Sequence, residues 1–564
     1  MENYSVMDTV WILMSTVLVF IMQAGFMLLE TGLTRKKNLA NVAIENLMDF
    51  ACGGIAFLLV GFGLMYGKGN AIIGRIDFFG MGADSMVTYF PKTAYMVFTM
   101  MFCATAATIV SGAVVGRVKF KAYLIFTVCV SVIIYPIVGH WVWGQGWLSR
   151  ISIGEFTGFT DFAGGAVVHT VGGIAALMAS LMVGPRIGKY HEGKSNVIAG
   201  HDIKAATLGT FILWIGWLGF NTGSVLSIEN NIEEAANIFL NTNISAVFAA
   251  VSAMVFTWIR FNKPDVTMIL SGTLGGLVAI TAGCSEVSPI GAMIIGIVAG
   301  VLTVVMIEVI DSRFKVDDPV GAIAVHGVCG AFGTIAVGLF AQSGGLFTTG
   351  HLERLGIQFI GILAIVIWTS AVSGIILLII KRTVGLRVSA EAEIKGLDWS
   401  EHGIPYDNVD LAEINDYVPK LEDLVDVENA VPVENFAEPV VDQSKAVITK
   451  LEIVARPEKF SALKEALNEI GVTGMTVTNV MGCGIQKGST EFYRGVSSEV
   501  YLRPKIQINI VVTKVPVEKV VETVRQTLYT GHIGDGKIFI YTVKNVIKIR
   551  TDERGYSALQ GADD

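Results

Sequence analysis

Paired cysteines, an excess of positive charge and a phosphate-cradling loop are all missing from this chain. Its six cysteines show no CxxC and no metal-ligand spacing, which leaves them as small buried side chains rather than redox or metal groups. Acidic residues outnumber basic ones, 49 against 41, and no arginine-rich stripe occurs, which argues against nucleic acid as a partner. There is no GxxxxGK[ST] loop and no nucleophile beside a base, so nothing points to catalytic residues, a resident metal or an enzyme. Charge of either sign is scarce, 16% against 52% hydrophobic residues. That is too apolar for a soluble protein, and 564 residues are too many for one domain.

What is present is unevenly spread. Between Asp8 and about Arg382 lie eleven apolar segments, near 9–33, 42–66, 93–115, 121–139, 162–184, 202–226, 236–259, 266–284, 289–310, 320–341 and 355–381. Beyond Arg387 charged residues become dense and no block could cross a bilayer. The first apolar run has no basic leader region and no Ala-x-Ala site, so it reads as a retained span. Alternate loops are rich in Lys and Arg, among them Arg35–Lys37, Arg117–Lys121 and Lys381–Arg387. The loop around Glu229, Glu233 and Glu234 has no base. Basic loops stay in the cytoplasm, which predicts a multi-pass protein of the cell (inner or plasma) membrane with its N-terminus outside and its tail inside.

One pattern occurs twice: DFAGGAVVHTVGG from Asp161 and DPVGAIAVHGVCG from Asp318, each with an Asp, seven residues and a His inside an apolar run. Ionisable groups at membrane depth cost roughly 2.5 to 3.5 kcal/mol on insertion scales, so a repeated pair implies a polar pathway. The two fall on the fifth and tenth spans. An offset of five spans, an odd number, turns the second half over, which predicts a five-plus-five inverted repeat with His169 and His326 near the midplane. The fold class expected is a polytopic α-helical membrane protein of eleven transmembrane helices, followed by an α+β domain.

With DFAGG-x3-H at Asp161, GWLGFNTGS from Gly216, HGVCG from His326 and TGLTRKKN in the first loop, residues 8 to 406 resemble the ammonium transporter (Amt/Rh) family. The resemblance implies a homotrimer, with ammonium or ammonia as substrate and no cofactor for transport. Each subunit would carry an apolar pore with His169 and His326 at its centre. It implies an outer recruitment site at Trp143 and Ser224, supported by Asp161, two closing rings at Phe102 and Phe220, and Trp217 lining the same pore. A bare ammonium ion cannot cheaply enter a pore lined by Phe, Ile and Val, whereas ammonia can, and two neutral imidazoles offer it a donor and an acceptor.

The tail divides by composition. Residues 385–406 resemble the family's cytoplasmic coupling segment, leaving 1–384 as the membrane domain. Residues 407–445 are acidic, contain three prolines in DNVDLAEINDYVPKLEDLVDVENAVPVENFAEPVVDQS and read as an extended linker. From 446 to 564 the pattern is strand AVITKLEIVA, helix PEKFSALKEALNEIG, strand MTVTNVMG, a long loop, strand KIQINIVV, helix PVEKVVETVRQTLY and strand KIFIYTV. This βαββαβ order predicts a ferredoxin-like domain.

The stretches GCGIQKGSTEFYRG from Gly482, TGHIGDGKIFIY from Thr530 and VIKIRT from Val546 make that domain resemble a P-II signalling protein. The resemblance implies an adenine nucleotide (ATP, ADP, AMP or a cyclic form) bound by Gly482, Gly484, Gly534, Asp535, Gly536 and Lys537, with Lys548 and Arg550 near phosphate. It also implies Mg and 2-oxoglutarate, the latter at Gln486 and Lys505, and a loop whose Arg494 docks at the pore exit of the same polypeptide. Ile485 stands where the family commonly has Arg, and Val496 and Ser498 stand where relatives carry their modified serine and tyrosine. The function expected is ammonium transport regulated in cis. The alternative is an ammonium sensor, in which occupancy of the membrane part signals to the tail with little flux.

Overall fold

The computed structural model describes residues 4–81, 89–404, 448–456, 459–482, 490–493, 496–499, 503–530 and 535–559. The linker therefore lies outside the described residues. Two compact units are built from the rest, an N-terminal helical unit and a C-terminal α/β unit.

Among the described residues of the first unit, ten helices are long and apolar enough to cross a membrane: α1 Val6–Leu33, α2 Lys36–Tyr66, α3 Lys92–Val114, α4 Phe120–Val142, α5 Gly165–Val183, α6 Ile203–Gly223, α7 Ile232–Phe261, then α9 Pro289–Arg313, α10 Ile323–Phe340 and α11 Glu353–Thr383. Between α7 and α9 lies α8, Val266–Thr281, which is apolar and buried but only 16 residues long. The expected segment near 266–284 is thus present as a helix, short of the length that spans a bilayer unaided.

Side-chain oxygens start several of these helices by satisfying amide groups that have no partner in the first turn. Ser5 accepts from Asp8 N at the head of α1 and Asp202 from Lys204 N and Ala205 N before α6. Asp265 does the same for α8 and Ser288 for α9. Burial then sorts the helices. Within the apolar window of α3, 89% of residues are buried, against 33% for α7 and α11, so α3 runs through the interior and the other two form its outer wall. Helix α5 crosses α10 at almost backbone contact. A Cβ built on Gly173 would lie 2.1 Å from Gly327 N, so only glycine fits there.

Two short helices end the first unit, α12 Ala390–Lys395 and α13 Leu397–His402. They are pinned beneath the bundle: Glu393 accepts from Arg387 at 2.7 Å and from Ile187 N, while Asp398 accepts from Asn41 N at 2.8 Å.

In the second unit β1 Thr449–Ala455, β2 Thr476–Gly482, β5 Arg503–Val512 and β6 Lys537–Thr542 form one antiparallel sheet in the order β6-β1-β5-β2. A separate ribbon pairs β3 Thr490–Tyr493 with β4 Val496–Glu499. Helices α14 Phe460–Glu469 and α15 Val517–Leu528 bury Leu463, Leu467, Val520 and Val524 with Leu451, Ile453, Ile508 and Ile510 of the sheet. Alternate residues of β1 are buried, as a sheet with one covered face requires.

Candidate functional site

The repeated Asp-x7-His pattern builds the same device twice. Before α5 the carboxylate of Asp161 accepts from Gly164 N (3.1 Å), Ala166 N (2.9 Å) and Val167 N (2.8 Å). Before α10 that of Asp318 accepts from Ala322 N and Ile323 N, both at 2.9 Å. Each helix then opens with a wide π-type turn, Gly165–Thr170 and Ile323–Val328, which carries the histidine.

His169 and His326 meet inside the bundle. Their Nδ1 atoms are 3.2 Å apart, their ring centroids 5.3 Å, and their planes differ by 22°, with both residues buried. In a neutral pair sharing one Nδ1–H···Nδ1 bond, the donating ring has a bare Nε2 and the accepting ring carries Nε2–H. The pair thus presents one acceptor and one donor to anything beside it. His169 Nε2 is buried without a hydrogen-bond partner among the described residues.

Aromatic rings continue the line from the His169 side. Trp217, held by its Nε1 donating to Thr281 Oγ1 at 2.9 Å, stacks on His169 at 5.0 Å and 18°. Phe220, one turn further along α6, lies 5.5 Å from His169 and stacks on Phe102 of α3 at 4.0 Å and 21°. Trp143, at the end of α4, sets its edge on Phe102 at 6.3 Å and 79°, and its Nε1 donates to Asp161 O at 2.8 Å. Ser224 is partly exposed at the end of α6 and its hydroxyl donates to Phe220 O.

Helices α3, α4, α5, α6 and α10 therefore bring Trp143, Phe102, Phe220, Trp217, His169 and His326 into one continuous row. Ser224 and Asp161 are tied to its members. Thr281, which orients Trp217, was not among the sequence candidates; a threonine in an apolar helix gives no signal of its own.

Below the bundle, Asp317 lies beside Arg186, which donates to both of its oxygens at 2.8 Å. Buried Arg117 donates to its backbone carbonyl. Burial pushes the Asp317 carboxyl up, but the charges of Arg186 and Arg117 and the Arg186 hydrogen bonds win and hold it well below the usual carboxylate range. Burial draws Arg117 down to about 10 despite Asp317.

In the C-terminal unit a cleft of about 550 Å³ is lined by Ile453 of β1, Arg525, Leu528 and Tyr529 at the end of α15, and Asp535, Gly536 and Lys537. That volume suits a small-molecule ligand. Asp535 accepts from Thr530 N at 2.7 Å. Lys537 and Arg525 are the cations of the cleft, Arg525 pairing with Glu522 of the same lining at 3.4 Å. Lys548, paired with Glu553 at 3.1 Å, and exposed Arg550 lie near the C-terminal end. Gly482 closes β2 opposite Arg503, and Lys505 stands opposite Val480. Gly484, Gln486, Arg494 and Gly534 lie outside the described residues.

Residues 10–405 match the Ammonium Transporter Family, and residues 448–553 match the nitrogen regulatory protein P-II. Ammonium transporter Amt2 of Archaeoglobus fulgidus is 44% identical over 419 residues, 71% of this chain and 88% of that protein. A putative ammonium transporter of Synechocystis is 42% identical over 72% of this chain and 90% of that protein. Among solved structures, a sensor Amt protein gives a TM-score of 0.65 at 39% identity, covering 70% of this chain and 98% of that one. Mep2 of Candida albicans gives 0.63 at 28% identity, covering 69% and 88%.

Proposed function

The chain belongs to the Ammonium Transporter Family with a P-II domain joined to it, and from that premise we propose that it moves ammonium through a twin-histidine pore under control of its own tail. The observation that carries this reading is the buried Nδ1–Nδ1 contact of His169 and His326 at one end of an aromatic row. Trp143 and Ser224 receive the cation at the outer mouth, where an indole face contributes about 0.5 to 2 kcal/mol. Stacked Phe102 and Phe220 bar a hydrated ion. The cation leaves its proton behind, and ammonia passes along the imidazole pair, using its one donor and one acceptor. Asp161 keeps the turn under Trp143 in place.

Counting α8 with the ten longer helices makes eleven spans, and the paired Asp caps support a five-plus-five inverted repeat. The reading places the N-terminus outside, the tail in the cytoplasm and three subunits around one axis in the cell membrane. The order β6-β1-β5-β2 with two helices supports the ferredoxin-like assignment of the tail. P-II proteins as a family bind adenine nucleotides and 2-oxoglutarate. The cleft beside Asp535, Gly536 and Lys537 is of a size that fits the nucleotide. The resemblance adds Gly482, Gly484, Gly534, Lys548 and Arg550 to the nucleotide site and assigns Gln486 and Lys505 to 2-oxoglutarate. Arg494 is assigned to the loop that closes the exit.

The second reading is an ammonium sensor. It is favoured by the similarity to a solved protein described as a sensor Amt protein. One experiment separates the two: ammonium uptake into vesicles containing reconstituted full-length protein, read from the rise in internal pH, with and without ADP, ATP or cyclic AMP, compared with His169→Ala. Transport predicts an uptake in the wild type that His169→Ala reduces at least tenfold. Absence of uptake above that of empty vesicles under every nucleotide condition overturns it in favour of sensing.

A further inference from the structure

Beyond the histidines the row ends, on the Asp318 side, in a small cavity of about 20 Å³ that His326 shares with Phe26, Val320, Ala322 and Glu30. That is room for one molecule the size of water or ammonia. Glu30 is 2% exposed, at the end of α1, in a cavity otherwise largely apolar. Its Oε2 accepts from Ser111 Oγ at 2.6 Å and from Asn46 Nδ2 at 2.8 Å. Both donors are neutral: they aim the carboxyl group without balancing its charge. Its Oε1 lies toward Gly112, where an added Cβ would come within 3.3 Å of both that oxygen and Val320 Cβ. With glycine there, no side chain at position 112 stands between the Glu30 carboxyl group and Val320 at the start of the His326 helix. Two further buried acids of α2 act on Glu30, Glu45 and Asp49, and both are themselves held by neutral donors, Asn41 and Tyr123, so they add negative charge around Glu30 and none that would balance it. Asp318 spends its oxygens on the amides of Ala322 and Ile323.

A carboxyl group in such surroundings is stable with a proton on it or with a cation beside it. What arrives from His326 in the transport reading, on which this inference rests, is ammonia, which becomes a cation by taking one proton. We propose that Glu30 is the inner proton donor and cation-holding residue of the pore. The O–H bond of its carboxylic acid breaks as an N–H bond of ammonium forms, with no other reactant. The carboxylate and ammonium remain as an ion pair until the cation leaves, and cytoplasmic water returns a proton to Glu30. The inner end of the pore thus has a cation site of different chemistry from the indole and hydroxyl of the outer end.

The test is infrared difference spectroscopy of the full-length protein in vesicles as ammonium chloride is added, alongside stopped-flow ammonium flux. Expected is loss of a protonated-carboxyl band in the wild type, its absence in Glu30→Gln, and a flux at least tenfold lower in that variant. Gly112→Ala, which keeps Glu30 but narrows the approach to Oε1, should weaken the band change; this second variant decides the matter if Glu30→Gln does not fold. No band change in the wild type, or the same change in wild type and Glu30→Gln, overturns the proposal whatever the flux. A Glu30-dependent band change in a protein that moves no ammonium would uphold the cation site and sink the transport reading instead.

Discussion

Asp161 and Asp318 hold their helices in the same way: each carboxylate accepts backbone amides of the turn that leads to a buried histidine eight residues on. Removing either strands buried N–H groups, each worth about 1 to 3 kcal/mol. Asp161→Ala and Asp318→Ala should both lower the melting temperature of the purified protein and cut ammonium flux. The Asn variants, which keep an acceptor oxygen, should lie between. Equal melting curves for Asp161→Ala and wild type would remove the capping role.

The crossing of α5 over α10 sets the distance between the two imidazoles. Gly173→Ala places a Cβ against Gly327 N and should push the helices apart, at an overpacking cost of about 1 to 3 kcal/mol. Thermal unfolding and flux measured on the same preparation check this. Loss of flux with an unchanged melting temperature would mean that the crossing tunes the pore and does not hold the bundle.

The stacked rings of Phe102 and Phe220 form the narrow part of the row. Phe102→Ala should open it, at about 3 to 5 kcal/mol in stability. The ratio of methylammonium to ammonium uptake is the readout, and it should rise. An unchanged ratio would place selection elsewhere.

Asp317 makes stability depend on acid. Its folded-state carboxyl lies below the ordinary value of 3.8, so its contribution is fully present above about pH 4 and is lost as pH falls further. Melting temperatures of wild type should drop below about pH 4 more steeply than those of Asp317→Asn, which has no charge to lose. The variant should already be less stable at pH 7, because it leaves buried Arg117 without its counter-charge.

In the tail, Gly536 adopts φ 122°, and a Cβ there would sit 2.3 Å from Val454 O. Gly536→Ala should move Lys537 away from the cleft and weaken adenine-nucleotide binding to the full-length protein by tenfold or more in calorimetric titration, leaving melting of the membrane part unchanged.

The meeting of His169 and His326 could be read from the letters alone, because the Asp-x7-His pattern repeats and charged groups inside apolar runs are rare enough to stand out. What escaped was the turn that carries each histidine. A π-type opening needs no residue that an α-helix refuses, so VVHTV and AVHGV look like ordinary helix. Glu30 escaped for another reason. It closes the first apolar run in LLETG, where an acid reads as the edge of a span, and its partners Asn46 and Ser111 lie 16 and 81 positions away. The extent of α8 was overestimated by three residues, since Ala282–Cys284 are as apolar as the helix they follow but leave it. In the second unit the succession of strands and helices along the chain followed from the sequence pattern, whereas the cleft depends on Ile453 of β1 lying beside residues 522–538, which are distant from it in the chain.

Two alike Asp-capped turns supply two imidazoles, yet the bond between them contains a single hydrogen. One ring must give and the other must take, so likeness of the two turns ends at that atom. Whichever ring donates fixes which way round a visitor finds its hydrogen-bonding partners, and exchanging the roles requires both rings to change tautomer together. The order of donor and acceptor along the row is thus set by the placement of one proton, while the polypeptide around it stays the same.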